Sequence, residues 1–476
     1  MFTLLNYDNY LNEYIVLISR MNQTNLLILG IGVSVHKTDG VLRFEHYCKA
    51  YGLEYRILGD GKIWQGGDMS VGTGGGQKIN EVLEAIENMD NKLIILCDTF
   101  DLFPLAGKNE ILEKFNKLCK PDEILFSSEI YCWPDEKLKI SYPTVNTKYK
   151  YLNSGCIMGY RNNIYQLIKN DNVQNNDDDQ LFFTLKFLSG EKIVLDYNCE
   201  LFQTLSDTKD DMVIHKNRLY NKYTNSYPIL IHGNGASKLF LNHIENYIEP
   251  YPLMSYSYTL VKNLKLLFEP KVFFALFINS SKDIEINLLF KNIQNINYQN
   301  REIYIYDKQN DLQIMQLANI FGFIYKGNMT TYYFDDFKNS NCEYYFLLEQ
   351  KCIITKKNIL YELLPYCKGY HRIISPLLHS KNNNLFTNYW GALDNNGYYK
   401  RASDYIEIIE NQKRGLWNAP YVSGAIIIHR DIIINWDLLK PNKFTDNDMQ
   451  LCCNLRKYTL FMYMANFNDY GYLADD

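Results

Sequence analysis

The stretch Lys92-Leu-Ile-Ile-Leu-Cys-Asp98-Thr-Phe-Asp101 decides the fold. An apolar run closed by two carboxylates three residues apart has the pattern of a buried parallel strand whose carboxyl end meets a ligand in a doubly wound sheet. Two hard oxygen donors at that edge can hold Mg²⁺ or Mn²⁺, and the ion can in turn hold a diphosphate. Taken alone, an Asp-x-x-Asp pair reads first as a capped turn, because Asp is favoured at turns and helix N-caps for local reasons. The flanking chain has to discriminate.

Upstream, Leu26 to Val33 reads as a strand, Leu42 to Tyr51 as a helix and Glu54 to Leu58 as a second strand. The glycine cluster Gly72-Thr-Gly-Gly-Gly-Gln-Lys78 then opens an amphipathic helix over Ile79 to Met89. This β-α-β-α-β order predicts a parallel sheet with right-handed crossovers. The cluster lacks the Gly-Lys-Ser/Thr ending of a P-loop. Downstream come strands over Ile124 to Ser128 and Tyr151 to Tyr160, then a helix opened by Asp177-Asp-Asp179. The strand Pro228-Ile-Leu-Ile-His232 delivers a histidine into Gly233-Asn-Gly-Ala-Ser-Lys238, which predicts a third metal ligand and a phosphate-binding loop at the edge held by Asp98 and Asp101.

The chain has 476 residues, enough for two or three domains that each bury a core. Its net charge of -5 leaves no basic excess to neutralise phosphates and argues against a general nucleic-acid binder. Eleven cysteines without metal-type spacing read as buried free thiols in a reducing compartment. The longest apolar run, Leu26 to Val35, is too short for a membrane span, and the N-terminus makes a poor signal peptide. A soluble protein is expected.

The pattern breaks at Pro250-Tyr-Pro252 and then repeats. Tyr151-Leu-Asn-Ser-Gly-Cys-Ile-Met-Gly-Tyr-Arg161 has a counterpart in Tyr421-Val-Ser-Gly-Ala-Ile-Ile-Ile-His-Arg430, and Asp177-Asp-Asp-Gln-Leu181 in Asp446-Asn-Asp-Met-Gln-Leu451. The Lys92 to Asp101 strand has one in Tyr344-Tyr-Phe-Leu-Leu-Glu-Gln-Lys-Cys352, where the Asp pair is gone. A duplicated fold whose second copy lost its metal ligands explains all three. His429-Arg-Asp431 mimics an iron triad or a kinase loop, but no later histidine and no Asp-Phe-Gly completes either.

Several segments together resemble one family. Trp64-Gln-Gly-Gly-Asp68, Gly74-Gly-Gly-Gln-Lys78, the Asp98/Asp101 pair, Ser128-Glu-Ile-Tyr-Cys-Trp-Pro134, Leu152-Asn-Ser-Gly155, Asp177-Asp-Asp-Gln-Leu-Phe182 and His232-Gly-Asn-Gly235 occur in the order seen in the glycosyltransferase domain of the procollagen lysyl hydroxylases. Asn388-Tyr-Trp-Gly-Ala-Leu393 and Trp417-Asn-Ala-Pro-Tyr421 resemble the accessory domain of the same enzymes.

The resemblance implies an α/β fold of two tandem GT-A-like (Rossmann-type) nucleotide-sugar domains, the second degenerate. The implied division is a lead-in over 1–24, a catalytic domain over 25–250, a linker over 251–268 and an accessory domain over 269–476. By resemblance Asp98, Asp101 and His232 hold Mn²⁺. Val33, Ser34, Val35, Asp98, Thr99, Phe100, Gly233, Gly235, Ala236, Ser237 and Lys238 line the UDP, with Trp64 and Lys78 nearby. Glu129, Trp133, Asn153, Asp178 and Asp179 face the sugars. Val35 stands where a Thr is usual, and Phe100 where a Tyr is, so the hydrogen bonds to uridine are expected to differ.

The implied reaction is glucose transfer from UDP-glucose to galactosyl-hydroxylysine of collagen or a collagen-like protein, with retained anomeric configuration. Galactose transfer from UDP-galactose to hydroxylysine is the near alternative, and a non-catalytic collagen- or carbohydrate-binding module the distant one. No nucleic-acid partner is expected, and a homodimer is left open. The family's hydroxylase domain would follow residue 476, so lysine hydroxylation is not expected. The AT-rich composition and missing secretion signal fit a giant-virus member, in host cytoplasm or virus-associated, rather than a resident of the endoplasmic reticulum lumen.

Overall fold

The computed structural model describes residues 25–68, 73–248, 268–280, 286–329 and 331–474. The expected lead-in lies outside these residues, as does the expected linker apart from Phe268. The chain forms two compact units, Met1–Ser255 and Tyr256–Asp476.

The strands of the first unit are β1 (Leu26–Ser34), β2 (Tyr55–Asp60), β3 (Leu93–Asp98), β4 (Leu102–Pro104), β5 (Ile124–Glu129), β6 (Tyr151–Tyr160), β7 (Ile193–Leu195), β8 (Phe202–Thr204), β9 (Met212–His215), β10 (Arg218–Asn221) and β11 (Leu230–His232). Six form a sheet in the order β2-β1-β3-β6-β5-β7, and a separate three-stranded sheet runs β4-β11-β8. Continuous apolar runs are needed because both faces of the large sheet are covered. Alternate side chains of β1 and β3 go to opposite cores. Ile28, Ile95 and Cys97 join Phe44 and Cys48 of the helix Asp39–Ala50. Leu29, Ile94 and Leu96 join Ile79, Val82 and Ile86 of the helix Gly76–Ile86. All eleven cysteines are free, ten of them buried.

The sheet departs from the all-parallel expectation. β1 is parallel to β2 and β3, but β6 is antiparallel to both β3 and β5. An apolar run records burial on both faces and carries no direction, and a strand returning without a crossover helix enters antiparallel. Helix bounds also move towards their caps. The first helix starts at Asp39 because the Thr38 side chain accepts from the Val41 N–H at 3.3 Å. The next starts at Gly76 behind Gly75, whose φ of 108° is left-handed. A Cβ at Gly76 would lie 2.0 Å from the Gln174 carbonyl oxygen, so this entry needs glycine.

The second unit contains β12 (Val272–Ile278), β13 (Arg301–Asp307), β14 (Ile324–Gly327), β15 (Tyr344–Glu349), β16 (Cys352–Ile354), β17 (Ile373–Pro376), β18 (His379–Ser380), β19 (Gly391–Leu393), β20 (Tyr399–Arg401), β21 (Leu416–Ala419), β22 (Ala425–His429), β23 (Met462–Ala465) and β24 (Gly471–Leu473). Its eight-stranded sheet runs β14-β13-β12-β15-β22-β17-β23-β21, and the inner six repeat the order of the first unit with one edge strand added at each side. The sheet β16-β24-β18 repeats β4-β11-β8, including one antiparallel and one parallel pairing.

One part of the sequence repeat shifts by a residue. Asp178 caps the helix Asp179–Leu188 by accepting from Leu181 N–H, and Asp446 caps Asn447–Lys457 by accepting from Met449 N–H. Asp178 therefore corresponds to Asp446, and Gln180 to Asp448. His429 is a helix cap as well, its side chain accepting from the Asp431 N–H.

Candidate metal centre

Three chain segments meet at the carboxyl edge of β3. Asp98 ends β3, Asp101 immediately precedes β4, and His232 ends β11. The pairing of His232 with Leu102 sets the histidine beside Asp101. One ligand atom from each of Asp98, Asp101 and His232 lies within 4.8 Å of the others. His232 Nε2 is 3.5 Å from Asp101 Oδ1 and 3.8 Å from Asp98 Oδ2.

The donor set fits a hard or borderline divalent cation: two carboxylate oxygens and one imidazole nitrogen. The ring orientation fits too. His232 lies against Gly155, where a Cβ would stand 2.2 Å from the ring Cε1, so a side chain there would displace the ligand. Nδ1 is buried and makes no hydrogen bond, while Nε2 faces the carboxylates.

Two lysines flank the cluster. Lys78 Nζ is 2.9 Å from Asp98 Oδ1 and 3.6 Å from Asp179 Oδ2. Lys238 Nζ is 3.1 Å from Asp101 Oδ2. Burial alone would lower the Lys78 pKa, but Asp179 and Asp98 outweigh it and hold the ammonium charged. Burial would likewise raise Asp101, yet Lys238 and His232 press it below the usual carboxylate range. His232 is raised: burial opposes its charge, and Asp101 and Asp98 more than offset that. The result is a compact site of alternating charge, with both lysines within reach of any anion bound to the ion.

A second group stands behind it. Glu129 is buried and accepts from Asn153 Nδ2 at 2.9 Å, Gln180 Nε2 at 2.8 Å and Asn234 Nδ2 at 3.1 Å. Burial pushes its carboxyl up, and the amide donors oppose that. Asn234 also accepts from the Leu205 and Ser206 N–H groups, so Glu129 ties the turn after His232 to the start of the helix Asp179–Leu188. Sequence reading passed over Gln180, Asn234 and Ser154, although all three lie within the quoted motifs. Ser154 Oγ donates to Asp179 Oδ2 at 2.9 Å.

The three consecutive aspartates separate into distinct roles. Asp177 accepts from the Gln174 N–H at 2.7 Å, and Asp178 caps its helix at 2.6 Å. Asp179 is buried against Lys78 and Ser154, and burial raises its carboxyl although Lys78 opposes.

The expected nucleotide-lining residues also divide. Val33 belongs to the core, and Thr99 is fully buried with its hydroxyl donating to the Ile31 carbonyl at 2.9 Å, so both side chains are committed inward. The Thr99 N–H is committed as well, donating to the Ile31 carbonyl at 3.2 Å. Ser34 Oγ donates to the His36 carbonyl, Val35 is exposed and Phe100 half-buried. Gly235 turns the chain with a φ of 59°, Gly233 is buried, Ala236 is exposed, and Ser237 Oγ donates to the Asn234 carbonyl. Trp64 is half-buried with its indole N–H on the Gly67 carbonyl at 2.6 Å, and Trp133 is exposed.

The PLOD GT domain model matches residues 22–256, and the model of the glycosyltransferase family 25 N-terminal domain matches residues 331–475. An uncharacterised protein of Acanthamoeba polyphaga mimivirus is 52% identical over 454 residues, covering 95% of this chain and 99% of that protein. The procollagen-lysine,2-oxoglutarate 5-dioxygenase 2 of Homo sapiens is 30% identical over 484 residues, covering 94% of this chain and 65% of its own length. The chain belongs to the procollagen lysyl hydroxylase and glycosyltransferase family.

Another member, the multifunctional procollagen lysine hydroxylase and glycosyltransferase of Caenorhabditis elegans, is 30% identical over 489 residues, covering 93% of this chain and 65% of that protein. The chain thus spans about two thirds of the length of these collagen-modifying relatives. Both units are glycosyltransferase-like, and the acidic cluster lies in the unit matched by the family's glycosyltransferase domain. Among the described residues no helix is long and apolar enough to cross a membrane.

Proposed function

We propose that the first unit is a Mn²⁺-dependent, retaining glucosyltransferase that moves glucose from UDP-glucose to galactosyl-hydroxylysine of collagen or a collagen-like protein. The observation that carries this reading is the Asp98, Asp101 and His232 cluster with Lys78 and Lys238 beside it, in a chain of this family. A divalent ion held there would act as a Lewis acid on the diphosphate released from the donor sugar. The chain's own groups do the rest. Lys238 and the Gly235 and Ala236 amides of the turn after His232 supply fixed positive charge to the leaving group without reorganising, while the Gly233 and Ser237 amides hold the turn itself.

Trp133, exposed, offers a ring face to a pyranose, and Asn153 and Gln180, bonded to Glu129 and to each other, form a fixed polar group beside it. Asp179, steadied by Lys78 and Ser154, is the carboxylate of its run best placed to orient an acceptor hydroxyl, since Asp177 and Asp178 are engaged with backbone. The mimivirus relative supports a viral chain working in host cytoplasm or associated with virions. Offering UDP-glucose and UDP-galactose with hydroxylysine and galactosyl-hydroxylysine peptides, and reading product mass and linkage, tests the assignment. Product from UDP-galactose on bare hydroxylysine alone would replace it with the galactosyl alternative. Collagen binding without UDP release would replace it with a binding module.

A further inference from the structure

The second unit holds a cavity of about 520 Å³ that none of this chemistry uses. That size falls within the roughly 300–1,000 Å³ of small-molecule sites. It opens beside β18 and β24, the counterparts of β8 and β11. Strand register places Tyr472 where the first unit has Ile231, since Ile353 pairs with Tyr472 as Phe103 pairs with Ile231. Ile231 is fully buried in a core with Leu241 and Ile244. Tyr472 instead lines the open cavity. An apolar core position has become an aromatic wall.

The rest of the lining is mixed, with Leu377, Leu385 and Ile409 beside amides and charged groups. Asn384, Asn411, Glu410, Asp469 and Lys381 surround Tyr472, with Lys381 Nζ 5.7 Å from the Tyr472 ring centre. Asn411 Oδ1 is buried and accepts no hydrogen bond from the chain. A buried acceptor without a donor is costly, and here it lies beneath the cavity wall. One lysine against two carboxylates does not suit a diphosphate, whose charge needs a cationic surround. Amides and carboxylates that give and take hydrogen bonds, beside an aromatic wall, suit the hydroxyls and C–H faces of a neutral sugar.

The geometry points to this cavity as a second carbohydrate site, one that takes a neutral hexose unit. It goes beyond the transferase reading and does not depend on which sugar the first unit moves. A hexose could arrive free or carried on a glycosylated peptide, and the chemistry of recognition is the same.

The test titrates the full chain with methyl galactoside, methyl glucoside and a glucosyl-galactosyl-hydroxylysine peptide, following sugar proton saturation transfer and calorimetry. Two variants are compared, Lys381→Ala/Asn384→Ala, both on exposed residues, and Tyr472→Leu, which removes the aromatic wall. Saturable binding is expected, weakened about tenfold by each variant, the scale of a lost hydrogen bond or two. UDP binding to the first unit and the thermal midpoint of the double variant should stay unchanged. A response to the methyl glycosides marks a free-sugar site, and one to the glycopeptide alone marks capture of glycosylated protein. No saturable binding by any of the three, or binding that both variants leave untouched, overturns the proposal.

Discussion

The two units build the same strand order around opposite chemistry. In the first, Asp98 closes β3, Asp101 precedes β4 and His232 ends β11. Strand register gives the corresponding positions of the second as Glu349, Lys351 and Leu473. An ammonium stands in place of one carboxylate and an aliphatic chain in place of the imidazole. Lys351 Nζ lies 3.3 Å from Glu349 Oε2, so the second unit sets a cation at the position of Asp101, where the first has a carboxylate of the candidate metal cluster. Tyr332 completes the plug by donating to Glu349 Oε1 at 2.8 Å and contacting Asp448. Retaining a sheet takes only apolar burial, which both units keep, whereas retaining a metal site takes three specific side chains at once.

The largest effect should come from breaking the difference directly. Asp101→Asn or His232→Ala should lower sugar transfer by about 100-fold or more, the scale expected when charge stabilisation of a leaving group is lost. Lys351→Met in the second unit should leave turnover within about twofold, on the proposal that transfer belongs to the first unit. Comparable losses from both would show that the second unit takes part in catalysis.

Stoichiometry sharpens the same contrast. Calorimetric titration with Mn²⁺ and UDP should give one site of each per chain, abolished in Asp98→Asn. A second UDP site would mean that Glu349 and Lys351 do not close the second unit.

A smaller effect separates neighbouring aspartates. Asp178→Ala should cost about 1 kcal/mol of stability, the usual price of a lost N-cap, with activity largely kept. Asp179→Ala should lower turnover at least about tenfold, since it removes a carboxylate held by Lys78 and Ser154 inside the site. Thermal melts and initial rates on the two variants check this, and equal rate losses would return Asp178 to the site.

The effect furthest from the candidate site is a pH dependence in the second unit. Burial and neighbouring Glu349 push the Asp448 carboxyl well above its ordinary value, with Tyr332 and Lys351 opposing and Asp446 adding to the rise. The folded chain then holds this proton more tightly than the unfolded chain does. Stability from this group is therefore greatest below the ordinary carboxylate range of about 4 and falls as pH rises towards the raised folded value. Asp448→Asn should remove that fall, so its midpoint relative to the parent should increase from pH 4 to pH 8. A difference that stays flat across this range would mean that Asp448 is not held protonated.

Local signals explain why much of this was legible in advance. The apolar run into Asp98, the histidine delivered by Pro228 to His232 and the duplicated segments all rest on spacing within a few residues. Where two elements had to be compared, the reading slipped. β6 proved antiparallel, and the helix-cap repeat shifted by one residue. The Thr99 side chain turns into the core, because Gly30 and Gly32 leave the space it fills; a Cβ at Gly30 would stand 2.5 Å from Thr99 Cγ2.

The sequence by itself determined the α/β class, the duplication and the residue types able to bind a divalent cation, since hydrophobic period and ligand hardness are properties of the chain alone. Only the tertiary structure decided which groups meet. It set His232 between two carboxylates, drew Asn153, Gln180 and Asn234 onto Glu129, turned one of three adjacent aspartates to Lys78 and two to the backbone, and matched Lys351 and Leu473 to the positions of Asp101 and His232. These are contacts between segments distant in the chain, and their geometry follows from strand pairing and packing, which no local pattern encodes.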